Sequence, residues 1–167
     1  ISMPIIYLSP STQENNFYVS GGSEEYWMNR LADAMVPYLN ASGIQYVRNT
    51  PEMTAASSIL ASNSGNFDLH LALHSNGAPE GQYGQIRGVL VFYYPGSAEG
   101  RRAAEIVAEN LKKIYPLPSK VRTEPTTTIG EVRKVRAPSV FLELGYHDNP
   151  DDAAWVQNNL DAIARNL

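Results

Sequence analysis

The chain holds three histidines, His70, His74 and His147, and no cysteine. Disulfides and thiolate zinc sites are therefore excluded, and a metal centre would have to be built from imidazoles and carboxylates. His74 is the best placed of the three. It closes the apolar run Phe67 to His74 and is followed by the turn residues Ser75, Asn76 and Gly77. The exit of a buried strand is where open α/β sheets place their ligands. A histidine there is a candidate metal ligand. A hydrogen bond to backbone would serve it equally well. His70 lies four residues earlier on the same strand face, about 13 Å away at strand rise, so the two cannot share one ion. His70 reads as a packed core histidine.

Glu143 sits near the end of a second apolar run, Ser139 to Leu144. A carboxylate there is costly unless paired or beside a cation. Burial raises its pKa and a cation lowers it, a combination suited to a general base working near neutrality. Glu24 and Glu25 open a long amphipathic segment. At about 100° per residue they flank its apolar stripe on either side, so periodicity does not choose between them. Favourable interaction with the helix N-terminus accounts for both equally well. Arg133 and Arg136 precede Pro138 and could hold a substrate carboxylate. His147 follows Glu143 in a turn and reads, on its own, as a surface residue.

The elements that must carry these residues alternate. Pro4 to Leu8 reads as a strand, and the polar stretch to Gly22 as a loop. Ser23 caps a helix with Met28, Leu31, Ala32, Met35, Val36 and Leu39 on one face, ended by Gly43. Ile44 to Arg48 is the second strand. Thr50 and Pro51 predict the start of an Ala- and Ser-rich helix that gives out near Asn63. After the His74 strand come a strand over Gly88 to Tyr94 and a helix capped by Ser97. Val121 to Val135 is ambiguous. The Ser139 to Leu144 strand precedes a final helix from Asn149 to the chain's end. Strands alternating with helices predict an α/β fold: a single domain with a twisted, mostly parallel sheet and helices on both faces.

Composition narrows the function. At 167 residues the chain suits one domain, and 43% hydrophobic with 18% charged residues is ordinary for a globular protein. A formal charge of -4 argues against a nucleic-acid partner. No apolar run approaches the roughly 20 residues of a membrane span. No signal peptide is legible in this chain, which reads as an excised domain, so its absence says little about compartment.

Together, Asp68-Leu-His-Leu-Ala-Leu-His74-Ser-Asn76 and Pro138-Ser-Val-Phe-Leu-Glu143-Leu-Gly-Tyr-His-Asp-Asn149 resemble two motifs of the zinc-dependent N-acetylmuramoyl-L-alanine amidases. The first is similar to a strand ending in Ile-His-Ala-Asn, the second to one ending in Glu-x-Gly-Phe. Glu25, four residues before Asn29, matches the spacing at the start of the family's first helix. The resemblance spans nearly the whole chain and implies a sheet of about six strands. It implies Zn2+ as cofactor, with His74 and Glu25 as ligands, and Glu143 as the catalytic glutamate. Asn76 and Arg133 are assigned to substrate binding. The reaction implied is hydrolysis of the amide between N-acetylmuramic acid and L-alanine in peptidoglycan.

One motif departs. The family's first strand ends in Asp-Pro-Gly-His-Gly, whose histidine is a third ligand, and here Ser9-Pro10-Ser11-Thr12-Gln13 stands in that place. His147 is the preferred substitute, with Gln13 or Thr12 as weaker oxygen donors. The alternative is a non-catalytic domain that binds peptidoglycan or regulates another hydrolase. A zinc exopeptidase of similar fold is a third reading. The expected partner is peptidoglycan or a muropeptide, the expected state a monomer, and the expected location extracellular or at the cell wall.

Overall fold

The structure is a computed structural model that describes residues 3–167. Six strands form one sheet: β1 (Ile5–Pro10), β2 (Gln45–Arg48), β3 (Leu69–Asn76), β4 (Val89–Tyr93), β5 (Val121–Pro125) and β6 (Ser139–Tyr146). Their spatial order is β2-β1-β3-β6-β4-β5. Every neighbouring pair is parallel except β4 against β6. The predicted class, an α/β domain with a mostly parallel sheet, is what the chain adopts.

The helices are α1 (Glu24–Ala41), α2 (Ala55–Asn63), α3 (Ala98–Leu111), α4 (Gly130–Arg133), α5 (Pro150–Asn158) and α6 (Leu160–Asn166). Strand alternation assigns side chains to two faces. Leu71, Leu73, Val89, Val91, Val140, Leu142 and Leu144 turn toward the main core, where Met28, Leu31 and Met35 of α1, Leu111 of α3 and Ile163 of α6 meet them. Ala72 and Phe141 turn to the opposite face and pack under Val132 of α4. His70, His74 and Glu143 share that second face by strand parity, so these candidate residues lie on the side with the smaller apolar cluster.

Two local expectations are corrected and one open stretch is resolved. The second helix does not start at Pro51. Residues 51–52 form a turn, and Thr54 caps α2 instead, its hydroxyl accepting from Ser57 N while Ser57 Oγ accepts from Thr54 N. This reciprocal pair satisfies two otherwise orphaned donors, as a capping box does. The ambiguous stretch 121–135 resolves into β5 and the single turn α4. The final helix is interrupted at Asn159, whose side chain donates back to Trp155 O.

Candidate active site

The first contacts to explain are those of His74, buried at the carboxyl end of β3. Its Nδ1 lies 2.8 Å from Glu24 Oε2, and its Nε2 lies 3.1 Å from Glu131 Oε2. Its ring also stacks on Phe141, with centroids 4.2 Å apart. Burial alone would lower the imidazole's pKa. The carboxylates of Glu131 and Glu24 outweigh it and push the group up to about 9. In the metal-free protein His74 is thus an imidazolium donating from both nitrogens.

Glu24 is the first residue of α1, directly after the N-cap Ser23, whose hydroxyl accepts from Tyr26 N. The helix start points its carboxylate inward, and it is 1% exposed. Burial would raise its pKa, but hydrogen bonding from His74, Ser11 and Asn16 draws it below the ordinary carboxylate value. Glu25, the family-implied ligand, lies one residue further round the helix. It is half-buried, its pKa is raised by burial and by the charges of Glu14 and Glu52, and its backbone carbonyl accepts from Asn29 Nδ2 at 2.8 Å. The structure therefore brings Glu24, and not Glu25, to His74. A step of about 100° separates the two side chains, and the capped helix start selects the first.

Glu131 was not anticipated from sequence. It lies in α4, 5% exposed. Oε1 accepts from Ser9 Oγ at 2.5 Å and from His70 Nε2 at 3.1 Å, while Oε2 faces His74. Burial would raise its pKa, but the two histidines hold it down at about 2. His70 is fully buried, stacked on Tyr7 (5.3 Å), with its Nδ1 2.9 Å from Ser62 Oγ. It is a core histidine, and its partners satisfy both ring nitrogens. A buried histidine in mid-strand demands such a partner. The sequence held that demand but not which acid would meet it.

Glu143 occupies the register position beside His74 across β3 and β6. It is half-buried, and burial pushes its carboxyl up to about 7, with His74 drawing it down and Glu24 pushing it up. His147 stands just past β6. Its Nδ1 lies 2.9 Å from Ser75 Oγ and 3.9 Å from Glu24 Oε1, and burial lowers its pKa. Tyr18 packs beside it, ring centroids 5.8 Å apart, with a buried hydroxyl that has no hydrogen-bond partner among the described residues.

The remaining expected residues lie farther out. Asn76 ends β3 and accepts from Gly77 N through Oδ1. Arg133 is exposed at the end of α4 and makes no ion pair among the described residues. In the Ser9 to Gln13 segment, Ser9 Oγ is committed to Glu131 and Ser11 Oγ accepts from Gln13 N.

The donor set can be compared with what zinc requires. A ligating imidazole normally presents one nitrogen to the metal and gives its other N–H to a carboxylate. His74 has that arrangement, with Nδ1 facing Glu24 and Nε2 held by Glu131. These residues fit two of the protein ligands of a zinc ion. Among the described residues, no group of three His, Asp or Glu side chains is arranged to hold a metal. His147 is the nearest further imidazole to Glu24.

Comparison with known proteins places the chain in a family. Residues 11–166 match the family model described as N-acetylmuramoyl-L-alanine amidase. Among solved structures, an N-acetylmuramoyl-L-alanine amidase from Clostridium difficile 630 superposes with a TM-score of 0.85 at 14% identity, covering 99% of this chain and 93% of that one. The amidase Ami1 from Mycobacterium smegmatis gives 0.81 at 18% identity, with 99% and 95% covered. AmiC2 of Nostoc punctiforme gives 0.79 at 17%, with 98% and 94% covered. At these identities the likeness speaks for the fold. No curated protein matches the chain's sequence.

Proposed function

The chain belongs to the N-acetylmuramoyl-L-alanine amidase family, and on that premise we propose that it hydrolyses the amide joining N-acetylmuramic acid to L-alanine in peptidoglycan. The observation that carries this reading is the Glu24–His74 pair with Glu143 in register beside it. Glu24 and His74 Nδ1 would hold zinc, with His147 as the third protein ligand. A zinc ion bound there would acidify water and polarise the scissile carbonyl.

The chain's own groups divide the remaining work. Glu131 keeps the His74 ring oriented through Nε2. Glu143, with a carboxyl pushed up to about 7, takes the proton from the attacking water and delivers it to the amine of the departing alanine. A base with a pKa near the working pH does both efficiently. Asn76, at the end of β3, and Arg133 are proposed to contact substrate. The substrate places the site of action at the cell wall.

The test combines zinc content per chain after dialysis with release of stem peptide from purified muropeptides. Absence of both metal and turnover in folded protein overturns the proposal. The Ser9 to Gln13 segment, with no histidine, favours a second reading: a domain that binds wall fragments without cutting. Muropeptide binding with no turnover at saturating zinc would select it.

A further inference from the structure

Beside Glu143 the second face of the sheet is uncovered. In one row across neighbouring strands stand His74, Glu143, Leu90 and Arg122. The short α4 packs over Ala72 and Phe141. Toward β5 the row opens into a groove of about 320 Å³ lined by Arg87, Gly88, Leu90, Lys120, Arg122 and Tyr146, among others. The lining holds three cations and no acid, in a chain whose net charge is -4.

The three cations are not equally free. Arg87 Nε donates to Asp152 Oδ1 at 2.9 Å and forms a fixed wall. Arg122 is exposed and only loosely paired, 3.5 Å from Glu124. Lys120 is exposed and has no ion-pair partner among the described residues. Gly88 sits at a φ of +149°, and a Cβ there would stand 3.0 Å from Lys120 O. A side chain at 88 would therefore collide with the backbone that carries Lys120. Leu90 and Tyr146 supply apolar walls.

We propose that this groove is a subsite for a carboxylate on the peptide side of the scissile bond, held by Lys120 and Arg122. The proposal rests on the amidase reading for its choice of ligand. The glycan is uncharged at this point, whereas a stem peptide carries free carboxylates. Two strand spacings separate Glu143 from Arg122, about 10 Å. An extended peptide covers that distance in about three residues. The carboxylate therefore belongs to one of the first residues after the cut.

The probes are N-acetylmuramoyl-alanyl-glutamate and the same compound with both glutamate carboxyls amidated. Dissociation constants are measured by calorimetry at low salt in Glu143→Gln protein, so that neither compound is consumed, and kcat/KM is measured with the native residue. The acid form should bind at least about tenfold more tightly, and added salt should erode the difference. Lys120→Ala combined with Arg122→Ala should bring the two compounds to equal affinity and equal kcat/KM. Equal binding of acid and amide by the protein with both cations overturns the subsite, as does a preference that survives the double substitution. If neither compound is cleaved by folded protein at saturating zinc, the amidase reading fails, and the dissociation constants still decide the groove.

Discussion

Glu131 Oε2 lies 3.1 Å from His74 Nε2, and the other oxygen of the same carboxylate lies 3.1 Å from His70 Nε2. One buried acid on a single helical turn thus ties the core histidine of β3 to the one at its exit. The consequence is geometric. With Nε2 occupied, His74 has only Nδ1 to offer to Glu24 and to a metal. Glu131→Ala should weaken zinc binding by about 10- to 100-fold, the usual effect of losing such a partner. Glu131→Gln keeps an acceptor for the His74 N–H and should recover most of the affinity. Competition against a chromophoric chelator reads both, and an Ala variant that binds zinc as tightly as the parent would show the contact to be incidental.

The two glutamates at the start of α1 separate cleanly. Glu24 is buried on His74, while Glu25 is half-buried among other acids. Glu24→Ala should cost zinc binding at least as much as Glu131→Ala. Glu25→Ala should change it by less than about twofold, since its side chain makes no contact with His74, which Glu24 holds instead. His147→Ala should weaken zinc binding about as much as His74→Ala. Unchanged affinity in the His147 variant would remove it from the ligand set.

Much of this was legible in the chain, for identifiable reasons. Strand runs and the helical stripe of α1 have strong periods, so the sheet and its parallel character could be read. His74 and Glu143 stand toward the carboxyl ends of apolar runs, which marked both as candidates, but their register pairing rests on β6 lying beside β3, which strand periodicity does not reveal. The choice between Glu24 and Glu25 was not legible from periodicity, because both flank the same stripe. The family spacing pointed to Glu25, and the cap geometry of Ser23 points the other way. Glu131 was invisible because α4 is one turn long, too short to show a period. Its role depends on contacts 61 and 57 residues distant in sequence.

As the proposed general base, Glu143 would set the acid limb of the rate. Its carboxyl is pushed up to about 7 by burial, and only the ionised form accepts a proton. Activity should therefore rise with pH, with an apparent pKa no higher than about 7, because a bound cation lowers the value further. Glu143→Gln should lower kcat by about 10²- to 10⁴-fold, the range for losing a general base, and should flatten that limb. A Gln variant with an unchanged pH–rate profile would assign the base elsewhere.

The metal-free site also has a pH signature. His74 is raised from 6.5 to about 9. Its ion pairs therefore stabilise the fold fully below pH 6.5, and this contribution fades as pH rises through about 9. Glu131 is lowered from 4.5 to about 2, so its contribution is full above pH 4.5 and fades as pH falls toward 2. Glu143, raised from 4.5 to about 7, costs stability as pH climbs through that range. Denaturant unfolding of the metal-free protein should therefore be most resistant near pH 4.5, falling as Glu131 protonates below it and as Glu143 ionises above it. Under the proposed ligation, zinc would displace the proton on His74 Nδ1, so binding should release a proton and tighten as pH rises toward 9. Calorimetry in two buffers of different ionisation enthalpy measures that proton, and identical enthalpies would contradict the assignment of Nδ1.

Asp152 holds the wall of the cationic groove, and its contacts forecast the effect of removing it. The residue is fully buried at the start of α5. Oδ1 accepts from Arg87 Nε at 2.9 Å and from Tyr115 Oη at 2.7 Å, and Oδ2 accepts from Gly88 N at 3.1 Å and Tyr146 N at 3.0 Å. One carboxylate thereby joins the entry of β4, the end of β6 and the helix layer. Asp152→Ala strands four donors and should cost about 3 kcal/mol or more in denaturant unfolding. Asp152→Asn turns one acceptor into a donor among donors, so it should recover little of that. Because Arg87, Gly88 and Tyr146 all line the groove, the Asn variant should also lose discrimination between acidic and amidated muropeptides under conditions where it remains folded. Stability within about 0.5 kcal/mol of the parent for the Ala variant, the range of an ordinary surface change, would mean that these four contacts do not hold the wall in place.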